Sequence, residues 1–296
     1  MRIFVTGATG FIGSAIVQEL IGSGHQVLGL ARSDAGAASL RAAGAQVHRG
    51  DIEDFDNLKR GAAASDGVIH TAFNHDFSKF AANCEADRLA IEALGSALEG
   101  SDRLLIVTGG LALLAKDRLA TEDDPPVPVS DTYPRASEAA AAALAERGVH
   151  TSVVRLPQVH DDVKQGLVTY LVGLAREKGV SAYVGEGLNR WAAVHRFDAA
   201  HLYRLAIENG AADARYHAVA EDGVSFREIA EVICRGLNVP VVSKPAEEAA
   251  SHFGWLARFT GLDLTASSAR TRQRLGWRPT RPGLIADLEQ MQYATA

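Results

Sequence analysis

From residue 1 to about 157, short β-branched apolar runs alternate with longer stretches of helical periodicity, the pattern of a parallel sheet covered on both faces. Six runs are predicted as strands, at 2–6, 26–30, 45–49, 67–71, 103–108 and 151–156, with helices filling the gaps. The clearest helix is 137–147, an alanine-rich stretch stopped by Gly148. After Pro157 the regular alternation fades. Residues 167–178 and 226–237 read as helices, the second amphipathic; 179–189 reads as short strand and turn, 215–220 as one more strand, and further helical patterns follow. No repeat or long linker divides the chain, and Pro125-Pro126-Val127-Pro128 reads as a stiff loop. The expected organisation is two lobes, one of residues 1–160 with 192–222 and a smaller one of 161–191 with 223–296.

The first predicted strand runs into Gly7-Ala8-Thr9-Gly10-Phe11-Ile12-Gly13 and then into a helical pattern. In that context the three glycines do different things. Gly7 permits the tight turn, Gly10 lets backbone approach a pyrophosphate, and Gly13 lets the helix pack on the sheet with its N–H groups towards the anion. An ordinary glycine-rich turn is the alternative, and the strand before and helix after weigh against it. The fold class that follows is α/β: a Rossmann-type doubly wound parallel sheet with a smaller C-terminal substrate-binding lobe. Gly7, Thr9, Gly10, Phe11 and Ile12 are the expected cofactor contacts at this turn.

The spacing G-x-x-G-x-x-G over residues 7–13 resembles that of short-chain dehydrogenases/reductases of the extended and atypical branches, the epimerase/dehydratase-like group. An NAD enzyme is expected to end its second strand in an acid for the ribose hydroxyls, whereas this chain has Ala31-Arg32-Ser33. A guanidinium and a hydroxyl suit a 2′-phosphate, each charge-assisted bond contributing roughly 1.5–3 kcal/mol. NADP(H) is therefore the preferred cofactor, with NAD(H) admitted if Arg32 is merely solvated and Asp34 serves the ribose. The resemblance implies that Asp51 and Ile52 meet the adenine, although Asp51 could equally cap the helix after Glu53. Position alone assigns Thr71 and Ala72 to the cofactor's ribose and phosphate side, while the resemblance, which implies a proline-containing turn against the nicotinamide, assigns Pro157 and Val159 to that ring.

At the reacting end the resemblance implies a Ser or Thr closing the fifth strand, which is Thr108, and a Tyr followed four residues later by a Lys whose ammonium lowers the phenol's pKa. The segment here is Tyr133-Pro134-Arg135-Ala136-Ser137, so the lysine is missing. Three readings stay open: Arg135 supplies the charge, although two residues on from Tyr133 it would point elsewhere on a helix; His160, beside Asp161, acts instead; or the site does no family chemistry. Thr108, Tyr133 and His160 are the candidate catalytic residues. Further along, 183–190, 195–200, 267–270 and 275–279 are similar to elements of the same relatives. They nominate Tyr183, Asn189, Arg190, Trp191 and His195 for the substrate pocket and Asp198 as a helix cap. Arg190 could grip a substrate anion or tie the lobes, and the aromatics of 252–259 could cover the pocket or fill a core.

Composition narrows the partners. The 296 residues are 47% hydrophobic, enough for a full core, and carry a net charge of -6, which offers no basic field to nucleic acid or to an anionic membrane. No stretch reaches the roughly 20 apolar residues of a membrane span, and Ile3-Phe4-Val5 stops at Gly7, too short for a signal peptide. A cytoplasmic protein with a small-molecule substrate is expected, with a homodimer left open. Cys84 and Cys234 lie far apart and read as buried apolar residues of a reducing compartment. The histidines, among them His70, His75, His195, His201 and His217, show no metal-ligand spacing, and no G-x-S-x-G suggests a hydrolase. The leading expectation is an NADP(H)-dependent oxidoreductase acting on a small carbonyl or alcohol. The alternatives are a nucleotide-sugar epimerase/dehydratase that retains NAD(H), and a non-catalytic NADP(H)-binding sensor.

Overall fold

A computed structural model describes residues 1–116 and 118–293. Its strands are β1 (Arg2–Thr6), β2 (Gln26–Ala31), β3 (Gln46–Arg49), β4 (Gly67–His70), β5 (Leu105–Gly110), β6 (Thr151–Leu156), β7 (Gln158–His160), β8 (Ser181–Val184), β9 (Arg190–His195), β10 (Ala214–His217), β11 (Glu221–Ser225) and β12 (Val241–Lys244). The helices are α1 (Phe11–Gly22), α2 (Asp34–Ala42), α3 (Phe55–Ala63), α4 (Phe80–Ser96), α5 (Ser137–Glu146), α6 (Leu167–Lys178), α7 (Arg196–Asn209) and α8 (Phe226–Leu237). Four short ones follow: α9 (Ala249–Phe253), α10 (Ala257–Thr260), α11 (Ala269–Leu275) and α12 (Leu284–Gln290). All six strands expected in the first part of the chain form, with small shifts at their ends, and the helices expected at 167–178 and 226–237 form over those residues.

Seven strands make one parallel sheet in the order β10-β6-β5-β4-β1-β2-β3. The chain winds outward from β1 to β3 and then returns to β4 on the other side of β1. The strand order therefore reverses between β1 and β4, which opens a crevice at their C-terminal ends where ligands of such sheets bind. One face is sealed by α1 and α7 through Ile16, Leu20, Leu202 and Tyr203. The other is sealed by α3, α4 and α5 through Leu58, Ile91, Leu94 and Leu144. This is the Rossmann-type doubly wound arrangement.

A second core gathers Leu171, Trp191, Phe226, Ile229, Phe253 and Leu284 around a three-stranded sheet, β11-β9-β7, and the parallel pair β12-β8. The strand expected at 215–220 is in fact two. β10 ends at His217 in the large sheet, and the chain then crosses, Ala218 donating to the Arg155 carbonyl and Ala220 to that of Ala193, before β11 pairs with β9. The two cores do not divide the chain cleanly, since Leu275 and Trp277 from the C-terminal region pack into the first of them; residues 294–296 lie outside the described part.

Three local expectations are corrected. Asp198 does not cap α7: His195 does, its ring nitrogen accepting from the Phe197 N–H, while the buried Asp198 carboxylate accepts from the N–H groups of Thr280 and Arg281. Asp54, not Asp51, caps α3 by accepting from Asn57. Cys84 is buried as expected, but Cys234 on α8 is only half-buried because it lies off the helix's core stripe of Phe226, Ile229, Ala230 and Ile233. No helix among the described residues is long and apolar enough to cross a membrane.

Candidate active site

The glycine turn at the end of β1 is built by backbone crowding. Gly7 has φ 67°, a left-handed conformation that side chains rarely adopt. A Cβ on Gly13 would lie 2.0 Å from the Gly7 carbonyl oxygen, so α1 reaches the sheet only with glycine there. Gly10 sits at the N-cap of α1 with no side-chain cap and no acid in the first turn, leaving the helix's N-terminal N–H groups to an anion. Arg196 lies 5.1 Å and Lys164 5.7 Å from the Phe11 ring centroid, adding positive charge beside this mouth. The cradle fits a dinucleotide pyrophosphate.

Beside it, β2 and β3 end together, Ala31 in register with Arg49. The Arg32 side chain is 83% exposed, with Asp51 3.9 Å away, a solvent-screened pair that holds it only weakly. Arg49, which the sequence reading passes over, donates to the Ser33 carbonyl at 2.5 Å and pairs with Asp34 at 3.0 Å. Asp34 thus faces a guanidinium in this arrangement. Ser33 caps α2 by accepting from Gly36, which leaves its hydroxyl proton for another partner. The signal that could have revealed Arg49 is a basic residue closing the strand next to Arg32. Thr71 donates to the Thr6 carbonyl at 2.8 Å and Ala72 to the Thr6 hydroxyl at 3.4 Å, so this pair forms the wall across from Gly7.

At the reacting end, Thr108 Oγ1 donates to the His70 carbonyl and bonds the buried Tyr203 hydroxyl, both at 2.7 Å. The single Thr108 proton is committed to His70, so Tyr203 donates, and one lone pair of Thr108 stays free to accept from a substrate hydroxyl. The Tyr133 segment is not helical: Ser130 and Tyr133 exchange backbone bonds of 3.0 Å, and α5 starts only at Ser137. Helix geometry therefore does not turn Arg135 away from Tyr133, because the helix has not yet begun. Arg135 reaches back, Nη2 at 3.5 Å from the Thr108 carbonyl and the guanidinium 4.5 Å from the Phe73 ring centroid. Tyr133, Arg135, Ser137 and Glu138 line, with Gly109 and Gly110, a cavity of about 110 Å³. Burial pushes the Tyr133 phenol above its ordinary value, and the nearby Arg135 charge pulls it partly back.

Behind the Tyr133 segment lie buried polar groups to which the sequence assigned no role. Arg155, fully buried on β6, forks onto Glu138 at 2.8 to 3.1 Å and approaches His217 at 3.3 Å. His70 and Asp87, both buried, bond each other at 3.1 Å. Their only trace in the sequence is a histidine ending an apolar strand and an acid on a helix face otherwise turned inward.

Other nominated residues are placed elsewhere. His160 is fully buried and holds Asp287, not Asp161, at 2.6 Å; burial pushes the imidazole down to about 4 and the Asp287 carboxyl up to about 6. Asp161 instead pairs with Arg196 at 2.9 Å. Trp191 is a core residue, buried edge-on against Phe226 at 4.9 Å, and Asn189 donates to the Thr260 and Leu262 carbonyls. Arg190 pairs with Asp263, Tyr183 lies under Arg227, and His195 caps α7. The contacts of Asn189, Arg190, Trp191 and Tyr183 bind the second lobe together, that of His195 starts α7, and they do not gather the five into one wall. Phe253 and Leu256 also fill that core, leaving Trp255 partly exposed. Val159 is buried in the first core, so Pro157, half-buried, is the better placed of that pair to meet a ring.

Fold and site together define a dinucleotide-binding enzyme of oxidoreductase and epimerase type. The chain belongs to the NAD dependent epimerase/dehydratase family, whose sequence pattern matches residues 3–220. It is similar to an uncharacterized protein of Schizosaccharomyces pombe, 48% identical over 99% of this chain and 100% of that one. It is also similar to a sterol-4-alpha-carboxylate 3-dehydrogenase, decarboxylating, of Dictyostelium discoideum, 27% identical over 77% of this chain and 74% of that one. Among solved structures, UDP-glucose 4-epimerase of Thermus thermophilus in complex with NAD superposes with a TM-score of 0.75 at 21% identity, covering 100% of both chains.

Proposed function

We propose that the protein is an NADP(H)-dependent oxidoreductase that moves hydride between the nicotinamide and a small carbonyl or alcohol. The observation that carries this reading is the convergence of Tyr133, Arg135 and the end of β5 on one small cavity. The Dictyostelium relative's name, a dehydrogenase, is consistent with it.

Gly7, Thr9, Gly10, Phe11 and Ile12 hold the pyrophosphate, while Arg32 and Ser33, with Arg49 as a second guanidinium, hold the 2′-phosphate. Asp51 and Ile52 meet the adenine, Thr71 and Ala72 the ribose side, and Pro157 the ring. When bound, the reduced nicotinamide supplies hydride to the carbonyl carbon. Tyr133, kept protonated at neutral pH by burial, donates its proton to the carbonyl oxygen as that oxygen gains charge, and Arg135 stabilises the phenolate left behind. Thr108 accepts from the alcohol so formed. The cavity, about 110 Å³, has room for a small carbonyl compound beside Tyr133 and Arg135.

Titration of wild type and Arg32→Ala with NADPH and NADH tests the cofactor. The expected result is a preference for NADPH that falls about ten- to a hundredfold in the variant; equal affinity of wild type for both overturns it. Turnover of a carbonyl panel should fall about 10²- to 10⁴-fold in Tyr133→Phe, and unchanged turnover removes Tyr133 from the mechanism.

The second reading, an epimerase or dehydratase that retains NAD(H), is favoured by the superposition on UDP-glucose 4-epimerase. Purified protein carrying tightly held NAD(H), with no net reduction of added carbonyls, would establish it.

A further inference from the structure

A buried line of side chains joins the cofactor turn to the reacting end. Thr6, the last residue of β1 before Gly7, lies 2.7 Å from His70 Nδ1; His70 Nε2 lies 3.1 Å from Asp87 Oδ1; Ser137 Oγ donates to Asp87 Oδ2 at 2.5 Å; and Arg135 Nε donates to Ser137 Oγ at 3.2 Å. Thr6, His70, Asp87 and Ser137 are all buried, and they come from β1, β4, α4 and the start of α5. The directions of donation are consistent along the whole line. The Asp87 carboxylate can only accept, so His70 gives it the Nε2 proton; the neutral ring then presents a bare Nδ1 that accepts from the Thr6 hydroxyl, whose oxygen in turn accepts from the Ala72 N–H. From the other side, Arg135 gives to Ser137 and Ser137 gives to Asp87. Both lines of donors end on the Asp87 carboxylate. Burial raises that carboxyl, but the bond from His70, the Arg135 charge and the Ser137 bond together bring it below its ordinary value.

Ser137 stands four residues after Tyr133, where the related enzymes would have their lysine. Here the cation is two residues earlier, and its Nε is held by the serine instead. Resting on the reading of Tyr133 and Arg135 given above, we propose that Asp87 is a positioning residue: as a buried anion it orients Arg135 towards Tyr133 through Ser137, and through His70 it ties that cation to the strand end that carries the cofactor turn.

The charged and titratable groups acting on Tyr133 are Arg135 from its own segment, Glu138 from α5, Cys84 from α4 and Arg155 from β6. Only Arg135 among them is hydrogen-bonded to Ser137. The sign of one measurement then separates positioning from a direct field. Asp87 acting directly on the phenolate repels it, so Asp87→Asn would lower the Tyr133 midpoint and Ser137→Ala would leave it alone. If Asp87 acts by holding Arg135, both variants release the cation and the midpoint rises.

The experiment is a spectroscopic titration of the Tyr133 phenolate, taken as the absorbance difference between each protein and its Tyr133→Phe counterpart. We expect an upward shift of about one pH unit in Asp87→Asn, in Ser137→Ala and in Arg135→Met, and no further shift when Asp87→Asn is added to Arg135→Met. A downward or absent shift in Asp87→Asn, or a shift that persists in the Arg135→Met background, overturns the proposal. Ser137→Ala keeps the test alive if Asp87→Asn does not fold: an unchanged midpoint there overturns it equally. The titration needs no turnover, so a fully active Tyr133→Phe enzyme would remove the proposed acid while leaving this coupling to stand or fall on the phenolate alone.

Discussion

The two ends of the crevice are made from different materials. The cofactor end is backbone: a left-handed Gly7, a Gly13 that admits no Cβ, and a helix mouth without a capping side chain. The reacting end is side chains drawn from β4, β5, β6, α4, α5, α7 and the loop before α5, held by hydrogen bonds between residues as far as 95 positions apart. A backbone site depends on a few residues at fixed spacing, whereas a side-chain site depends on which elements the fold brings together. One can be disabled by a single methyl group; the other should fail by degrees.

The largest effect is expected at the first of these ends. In Gly13→Ala the added carbon meets the Gly7 carbonyl at 2.0 Å, backbone against backbone, so either α1 moves outward or the turn opens. NADPH affinity should drop by more than about a hundredfold, read by fluorescence titration, with a lowered unfolding midpoint. Wild-type affinity in that variant would mean that the close approach is not what shapes the site.

This contrast also explains how much was legible in the chain. The strands of the large sheet, the helix at 226–237 and the whole glycine turn could be read because each is specified by neighbours in sequence: alternation, period or spacing. Arg49 was not, because its importance arises from lying in register with Ala31 across the sheet. Asp87 was invisible for the same reason, and His70 was seen only as a histidine without metal-ligand spacing. Tyr133 and Thr108 were found only through a resemblance, and the helix wheel applied to Arg135 misled because α5 begins later than that wheel assumes. Trp191 and His160 drew attention as pocket and catalytic candidates, yet both are buried, Trp191 in packing and His160 in tying segments together.

A smaller effect probes the wall under the cavity. His217 Nδ1 lies 2.9 Å from the Ser267 carbonyl and its Nε2 faces Arg155, so a second proton would be set against a guanidinium as well as against burial. Burial, aided by Arg155 and opposed by the Glu122 charge, pushes the imidazole from 6.5 down to about 4. The unfolded chain therefore takes up a proton below about 6.5 that the folded chain refuses until about 4. Stability present above that window is lost as pH falls through it, by about 3 kcal/mol at most from this one group. Denaturant midpoints between about pH 7 and 4 should fall more steeply for wild type than for His217→Gln; parallel slopes would show that the histidine charges freely in place.

The smallest pair of changes separates two neighbouring carboxylates. Asp54→Ala removes the cap of α3 and should cost about 1 kcal/mol of stability with NADPH affinity intact. Asp51→Ala should do the reverse, altering affinity with little change in stability. An exchange of those outcomes would move the adenine contact to Asp54.

The stitch between α7 and the chain's far end has a consequence for how the molecule can be taken apart. Trp277 is fully buried in the core shared by α1 and α7, its indole N–H on the Asp198 carbonyl at 3.0 Å, while the Asp198 carboxylate holds the next turn at Thr280 and Arg281. A fragment ending after β11 would keep every residue of the glycine cradle and still leave a tryptophan-sized hole beside α7 and an unpaired buried carboxylate. The nucleotide-binding half is thus not a detachable cassette: it is completed by the last segment of the chain, and a graft of the cradle onto another protein would have to bring Trp277 with it.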